Sequence, residues 1–271
     1  MINLMFAGND KVYDGLLLAG LSIIKHCKEP INVYVLTMDL SDKNANFTEV
    51  SDEHIKVLDG LYKQKNPNSK VVKVDVKDLY LKGLENSPNA EGFYTPYALL
   101  RLLAEDVEQI PDKILYLDTD VMAYGDISEL YNIDISKYEI AGVRDYYGKF
   151  FFYPNYLNSG VLLMNMEKIR ETKMLSRALQ LCNKKKVFLP DQSAINKYVK
   201  NKLILPSRFN EQKKVKDDTV IRHFSMRLKF FPKFKKINIK PWDIERVHNI
   251  LNTYEFDDIF EEYEKIKNKQ G

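Results

Sequence analysis

The sequence is poor in cysteine, and this narrows the class of protein it can encode. Of 271 residues only Cys27 and Cys182 are cysteines, and they stand far apart and in no CxxC pattern. Neither a disulfide framework nor a cysteine zinc site is therefore expected. Two free thiols suit the reducing environment of the cytoplasm.

Long apolar runs and a strong charge of one sign are also missing. No stretch approaches the roughly 20 apolar residues of a spanning helix, and the apolar start at residues 2–7 has no basic region before it. We therefore expect no signal peptide and a cytoplasmic protein that at most rests on a membrane surface. The formal net charge of +3 argues against a nucleic-acid partner, which would need a strongly basic face.

The first part of the chain alternates between two hydrophobic periodicities. Short runs of apolar and β-branched residues at 2–7, 31–37 and 71–75 predict strands, and the segments at 12–24 and 51–65 predict helices. Strand, helix and strand in alternation are typical of a parallel sheet with helices on both faces. The sequence therefore predicts an α/β, Rossmann-like fold with a mostly parallel central sheet.

The second part of the chain continues this pattern and then becomes basic. Further strands are expected near residues 113–117, 140–144 and 160–165, and further helices near residues 97–105, 166–183, 191–199 and 254–267. From Glu211 onward lysine and arginine are frequent. We therefore divide the chain into a nucleotide-sugar-binding catalytic domain at residues 1–210 and a small basic C-terminal extension at residues 211–271.

A pair of carboxylates follows the most apolar of the later strands. Asp118 and Asp120 come directly after Ile114 to Leu117. Ligands of open α/β sheets bind beyond the carboxyl ends of the strands, and residues two apart in an extended chain point the same way. Two close carboxylates favour a hard divalent cation such as Mg²⁺ or Mn²⁺ that bridges to a phosphate. The alternative from the sequence is that both residues are turn and cap residues beside a core strand.

Four short segments, taken in order along the chain, resemble one enzyme family. They are YLDTDV at residues 116–121, YLNSGVLLMN at residues 156–165, Asp191-Gln192 and His223-Phe224. Together they resemble family 8 of the retaining glycosyltransferases, which includes bacterial lipopolysaccharide galactosyl- and glucosyltransferases and, more distantly, glycogenin. The resemblance spans nearly the whole chain and implies a GT-A type fold.

The resemblance implies a metal site and a donor site. Asp118, Asp120 and His223 would bind Mn²⁺ or Mg²⁺, and Thr119 lies between the two aspartates. The remaining donor-binding residues would be Ala7, Asn9 and Lys11 for the uracil and ribose, and Arg101 for the phosphate and sugar. The family often has an acidic residue where this chain has Asn9. Without the resemblance, the sequence predicts only an ordinary core or surface histidine at His223 and a solvated arginine at Arg101.

The resemblance also implies residues around the donor sugar. Asp145, Asn158, Asp191 and Gln192 match those catalytic positions, although Asp191 also suits an acidic first turn of a helix. For the lysine on the diphosphate, Lys229 is the first candidate. Lys240 is the second, because here the family's Lys-Pro-Trp comes later in the chain.

The implied reaction is transfer of a hexose, glucose or galactose, from a UDP-sugar to a glycan or glycolipid acceptor with retention of configuration. A covalent intermediate on Asp191 and a front-face displacement both explain retention, and we favour the second. One alternative is a sugar nucleotidyltransferase, against which the absence of a Gly-rich N-terminal loop argues. Another is a membrane-surface or polyanion-binding module, since Phe230, Phe231 and Phe234 alternate with lysines.

Overall fold

The computed structural model describes residues 1–90, 95–229, 231 and 233–270. Phe230 of the basic segment therefore lies outside the described residues. The strands are β1 (Ile2–Ala7), β2 (Ile31–Thr37), β3 (Lys70–Asp75), β4 (Lys113–Leu117), β5 (Val121–Ala123), β6 (Ile140–Arg144), β7 (Leu157–Asn165), β8 (Lys202–Leu205), β9 (Ile221–His223), β10 (Arg227–Lys229) and β11 (Lys235–Ile237).

Helices cover the faces and the ends of these strands. The α-helices are α1 (Tyr13–His26), α2 (Asp52–Lys65), α3 (Lys77–Gly83), α4 (Ser128–Tyr131), α5 (Gly148–Phe151), α6 (Met166–Thr172), α7 (Met174–Lys184), α8 (Pro190–Tyr198), α9 (Ile244–Leu251) and α10 (Asp257–Gln270). Short 3-10 segments lie at Asp10–Val12, Pro96–Asp106 and Ser207–Phe209. None of the helices in the described part of the chain is long and apolar enough to cross a membrane.

The central sheet has the order β3-β2-β1-β4-β7-β6-β8 among the described strands. The pairs β1–β2, β2–β3, β1–β4 and β6–β8 are parallel, whereas β7 runs antiparallel to both β4 and β6. The predicted α/β architecture with a mostly parallel sheet is therefore confirmed. Because β1 and β4 are parallel neighbours, their carboxyl ends, at Ala7 and Leu117, lie at the same edge.

Two of the helices expected from the sequence differ in the structure. The segment expected at residues 97–105 is a 3-10 helix, and it begins at Pro96. The helix expected at residues 166–183 is broken at Lys173, whose φ of 54° ends α6 and starts α7. A left-handed residue cannot continue an α-helix, and hydrophobic periodicity carries no sign of it.

The hydrophobic core has two halves, one on each face of the sheet. Alternate residues of β1 separate them, because Leu4 and Phe6 pack in one cluster and Met5 packs in the other. Val220 and Phe224 from the basic C-terminal segment pack in the cluster of Leu4. The segment therefore shares a core with the first strand.

A two-stranded sheet joins the end of β4 to that C-terminal segment. The strands β5 and β9 pair antiparallel with Val121 opposite His223. The amide of Phe224 also donates to the carbonyl of Asp120 at 2.9 Å. These backbone bonds bring the imidazole of His223 beside the carboxylate pair.

Candidate active site

Three side chains at the carboxyl end of β4 bring two oxygens and a nitrogen of the kind that bind metals close together. Asp118, Asp120 and His223 each offer one ligand atom, and these atoms lie within 4.8 Å of one another. Nε2 of His223 is 3.2 Å from Oδ1 of Asp120 and 3.9 Å from Oδ2 of Asp118. Two carboxylate oxygens and one imidazole nitrogen are a donor set that Mn²⁺ accepts.

The orientation of the His223 ring is set by a buried amide. Nδ2 of Asn210 donates to Oδ1 of Asn158 at 2.9 Å, so Oδ1 of Asn210 faces the imidazole, 3.1 Å from Nδ1 of His223. Nδ1 therefore donates to Oδ1 of Asn210, and Nε2 is the ring nitrogen that faces the two carboxylates. A hydrogen bond from the far nitrogen is how proteins usually orient a metal-binding histidine.

The glycine of β7 provides the space for this group. A Cβ atom added at Gly160 would lie 2.2 Å from Cε1 of His223 and 2.8 Å from Oδ2 of Asp118. Any other residue at this position would push the imidazole and the carboxylate apart. The carbonyl of Gly160 in turn accepts a hydrogen bond from the amide of Asp118 at 2.8 Å.

A buried arginine holds the other oxygen of Asp118. Nη2 of Arg101 lies 2.7 Å from Oδ1 of Asp118, which also accepts a 2.8 Å hydrogen bond from the hydroxyl of Tyr116. The guanidinium stacks 4.1 Å above the Tyr116 ring and forms an ion pair with Asp191 at 3.2 Å. Burial alone would lower the pKa of Arg101, but the carboxylates raise it above its usual range. Because Oδ1 of Asp118 is occupied, Oδ2 is the oxygen that faces His223.

Lys240 is the lysine that reaches the acidic pair. Its Nζ lies 2.5 Å from Oδ2 of Asp120. Burial alone would raise the pKa of Asp120, but Lys240 and His223 lower it well below its usual range. The structure does not bring Lys229, the first candidate, to this group, because Lys229 is exposed on β10 and pairs through its backbone with Lys235.

The four residues expected around the donor sugar form one hydrogen-bonded network. Oδ2 of Asp145 accepts from Nδ2 of Asn158 at 2.9 Å and from Nε2 of Gln192 at 3.3 Å. Oε1 of Gln192 accepts from the amide of Ser159 at 3.0 Å. Asp191, which pairs with Arg101, has its pKa raised by burial. The four residues come from three parts of the chain, since Asp191 and Gln192 are neighbours in sequence, and they converge on one wall.

These groups line a cavity of about 790 Å³ at the edge of the sheet. Its surface includes Asp118, Asp120 and His223, which we call the metal-binding trio. It also includes the sugar-side network, which is Asp145, Asn158, Asp191 and Gln192, and the two cations Arg101 and Lys240. Of the other residues that the resemblance assigns to the donor, Ala7, Asn9, Lys11 and Thr119 do not line it. Nδ2 of Asn9 instead donates to the carbonyl of Asn46 at 3.1 Å.

Two residues of the site, Asn210 and Gly160, were not predicted from the sequence. Asn210 is fully buried and orients His223, yet no motif or periodicity distinguishes it from other asparagines. Gly160 stands inside a matched segment, so a signal for it existed, but its need for space depends on a histidine far along the chain. Both roles follow from contacts that only the folded chain contains.

Comparison with known proteins agrees with the fold and the resemblance. A putative glycosyltransferase of Haemophilus influenzae is 27% identical over 226 residues, which are 77% of this chain and 63% of that protein. A lipopolysaccharide 1,2-glucosyltransferase of Escherichia coli is 32% identical over 112 residues, 36% of this chain and 33% of that protein. The chain spans 16% to 63% of the length of four curated relatives.

Solved structures have the same fold at low sequence identity. The galactosyltransferase LgtC, in complex with donor and acceptor sugar analogues, superposes with a TM-score of 0.67 at 18% identity and covers 97% of this chain and 96% of its own. This likeness establishes the GT-A type fold. The family model described as glycosyl transferase family 8 matches residues 3–244, nearly the whole sequence. The chain therefore belongs to glycosyl transferase family 8.

Proposed function

We propose that this protein is a divalent-metal-dependent, retaining glycosyltransferase that transfers a hexosyl group from a UDP-sugar to a glycan or glycolipid acceptor. The observation that carries the proposal is the cluster of Asp118, Asp120 and His223 at the edge of a polar cavity. In this proposal residues 1–210 are the catalytic domain, and the extension at residues 211–271 contributes His223 and Lys240.

The residues present fit a divalent cation. Two oxygens and one nitrogen converge, and Asn210 binds Nδ1 of His223, so that Nε2 is the ring nitrogen that faces the carboxylates. Asp118, Asp120 and His223 would hold Mn²⁺ or Mg²⁺, which supplies positive charge to the oxygens of the leaving diphosphate. Lys240 adds fixed positive charge beside the same oxygens.

The sugar-side network orients the hexosyl group. Asp145, Asn158 and Gln192 offer amide and carboxylate groups for the sugar hydroxyls, and each is held by a hydrogen bond to another member. Because these bonds exist before the donor arrives, little ordering is needed when the donor binds. Binding of the base is assigned to the end of β1, around Ala7, Asn9 and Lys11, which follows from the family resemblance.

Retention is best explained by front-face displacement. The better candidate for a covalent intermediate, Asp191, is already paired with Arg101 at 3.2 Å and has a 3.3 Å hydrogen bond from Oγ of Ser159. A carboxylate held by a buried guanidinium is a weak nucleophile, because attack would break that ion pair. The amide of Gln192 instead stabilises the positive charge that develops at the anomeric carbon.

Donor hydrolysis tests the proposal with two matched pairs of proteins. With UDP-glucose or UDP-galactose and Mn²⁺, the wild-type protein should release UDP, and Asp120→Asn should retain the fold but lose this release. Release of pyrophosphate from UTP and a sugar 1-phosphate, with no release of UDP from either UDP-sugar, would instead indicate a nucleotidyltransferase. Lys240→Ala should lower the rate by about 10² or more, since one fixed charge on the leaving group is lost. Lys229→Ala is the control, and equal losses in both lysine variants would contradict the assignment.

We also propose that the protein is cytoplasmic, since its two cysteines are buried and form no disulfide. We propose in addition that it contacts the membrane surface through the hairpin of β10 and β11. Phe231 and Phe234 are exposed there beside the exposed lysines Lys233, Lys235 and Lys236. Aromatic and basic residues together favour a membrane interface with anionic lipids. The protein should pellet with phosphatidylglycerol vesicles and not with phosphatidylcholine vesicles. Equal pelleting with both would contradict this part.

A further inference from the structure

A second cavity of about 550 Å³ lies beside the first, and its walls are mainly aromatic. Its lining includes Phe151, Phe152, Tyr153 and Phe188, together with Lys197 on α8. We call these five residues the aromatic subsite. Phe151, Phe152 and Phe188 also line the cavity of the metal-binding trio. The two cavities are therefore adjacent, with these three rings at their common border.

The rings of the aromatic subsite are held in place yet open to solvent. Phe152 stacks on the buried Tyr156 with ring centroids 4.5 Å apart and lies 6.2 Å from the ring of Phe188. Phe188 is 75% exposed and Phe151 is 65% exposed. Contiguous exposed aromatic side chains on a soluble fold mark a binding surface more often than chance. Burial by a ligand would remove this apolar area from water.

The backbone before α8 is shaped so that Phe188 stays at this surface. Leu189 has a φ of 50°, a left-handed conformation that residues other than glycine and asparagine seldom adopt. It lines the first cavity, and the next residues begin the helix that carries Asp191 and Gln192. Strained backbone of this kind is concentrated where a ligand is bound. The same turn thus positions the sugar-side network and the aromatic ring beside it.

Polar groups at the edge of the subsite complement the rings. The ammonium of Lys197 is on the exposed side of α8, and the hydroxyl of Tyr153 is fixed by the carbonyl of Asn196 at 2.9 Å. A pyranose ring has an apolar face of C–H groups and a rim of hydroxyls. Flat rings beside hydrogen-bonding groups match that pattern, whereas a lipid chain would not need the polar rim.

We propose that the aromatic subsite binds sugar units of the acceptor beyond the unit that receives the hexosyl group. The acceptor class is then an oligosaccharide rather than a single sugar or a free lipid. This inference rests on the proposed function, because it assigns the cavity adjacent to the one that takes the donor. Stacking of an acceptor chain on Phe151 and Phe188 raises its affinity for the protein.

The test compares monosaccharide and tetrasaccharide acceptors. The probes are methyl glucoside, methyl galactoside, maltotetraose and lacto-N-tetraose, with UDP-glucose or UDP-galactose and Mn²⁺. For the wild-type protein we expect a KM for a tetrasaccharide at least about tenfold below that for the monosaccharides. The double variant Phe151→Ser, Phe188→Ser should lose this advantage. Phe150→Ser is the matched control, because Phe150 is 73% exposed on the same helix but lines neither cavity.

The outcomes separate this inference from the proposed function. If the wild-type protein releases no UDP from either donor, the proposed function fails. If UDP is released but the tetrasaccharides gain no advantage, and saturation-transfer NMR shows none of them in contact with the protein, the aromatic subsite is wrongly assigned. Retention of the advantage by the double variant also overturns it. So does sedimentation that shows a dimer for the wild-type protein and a monomer for the double variant, since a second copy then covers the rings.

Discussion

Substitution of Gly160 by alanine is the sharpest test of the metal site. The added methyl would lie 2.2 Å from Cε1 of His223, whereas ordinary contacts begin at 3.4 Å, so the ring must move by about 1.2 Å. Metal–ligand distances tolerate only about 0.2 Å. Overpacking of this kind costs about 1–3 kcal/mol, so the fold survives with a melting temperature lowered by several degrees.

The measurement is the binding of Mn²⁺ in the presence of UDP, followed by calorimetry or by water-proton relaxation. We expect the affinity of Gly160→Ala for Mn²⁺ to fall at least about 100-fold. Loss of a residue that hydrogen-bonds a metal ligand already costs about 10- to 100-fold, and displacement of the ligand itself should cost more. Gly60→Ala is the control, since Gly60 lies in α2 with nothing within 4 Å of the added methyl. That variant should bind Mn²⁺ normally and gain about 0.5–1 kcal/mol of stability.

Wild-type affinity in Gly160→Ala, with the melting temperature lowered as expected, would refute the reasoning. The methyl would then be accommodated by movement of His223 away from the carboxylates, and the ion would be held without the imidazole. A similar loss of Mn²⁺ binding in both glycine variants would also refute it, because the effect would not depend on the contact with His223.

The remaining predictions concern the buried amide and the two thiols. Asn210→Leu should weaken Mn²⁺ binding about 10- to 100-fold, because it releases Nδ1 of His223. Wild-type affinity in this variant would contradict the orienting role. Cys27 and Cys182 should not react with Ellman's reagent at pH 8 in the native protein, because burial raises their pKa values to about 11 and about 12. Both should react in urea. Rapid labelling of the native protein would contradict this.

Much of the fold could be predicted from local patterns. The strands at residues 2–7, 31–37 and 140–144 occur with the expected bounds, since runs of apolar residues buried on both faces are unambiguous in a sheet. The helix expected at residues 51–65 is also present, with Ser51 as its N-cap. Each of these elements is formed by consecutive residues, so the hydrophobic pattern of the local sequence is enough to predict it.

The site could be predicted only in part. The sequence indicated Asp118 and Asp120 as a pair, because both lie beyond one strand. The position of His223 depends on β5 and β9, which are three residues each and too short for periodicity to detect. The sequence ranked Lys229 before Lys240, whereas the structure places Lys240 beside Asp120 and Lys229 in a hairpin, which spacing from His223 does not reveal.

The pairing of β5 with β9 also imposes an order of events on biosynthesis. During translation the two aspartates emerge before the imidazole and the lysine that lie beside them, because residues 118 and 120 precede residues 223 and 240. Until then the acidic residues have no cationic neighbour from that region, and the nascent chain has no grip on a divalent ion. The complete metal site therefore forms only after β9 has paired with β5.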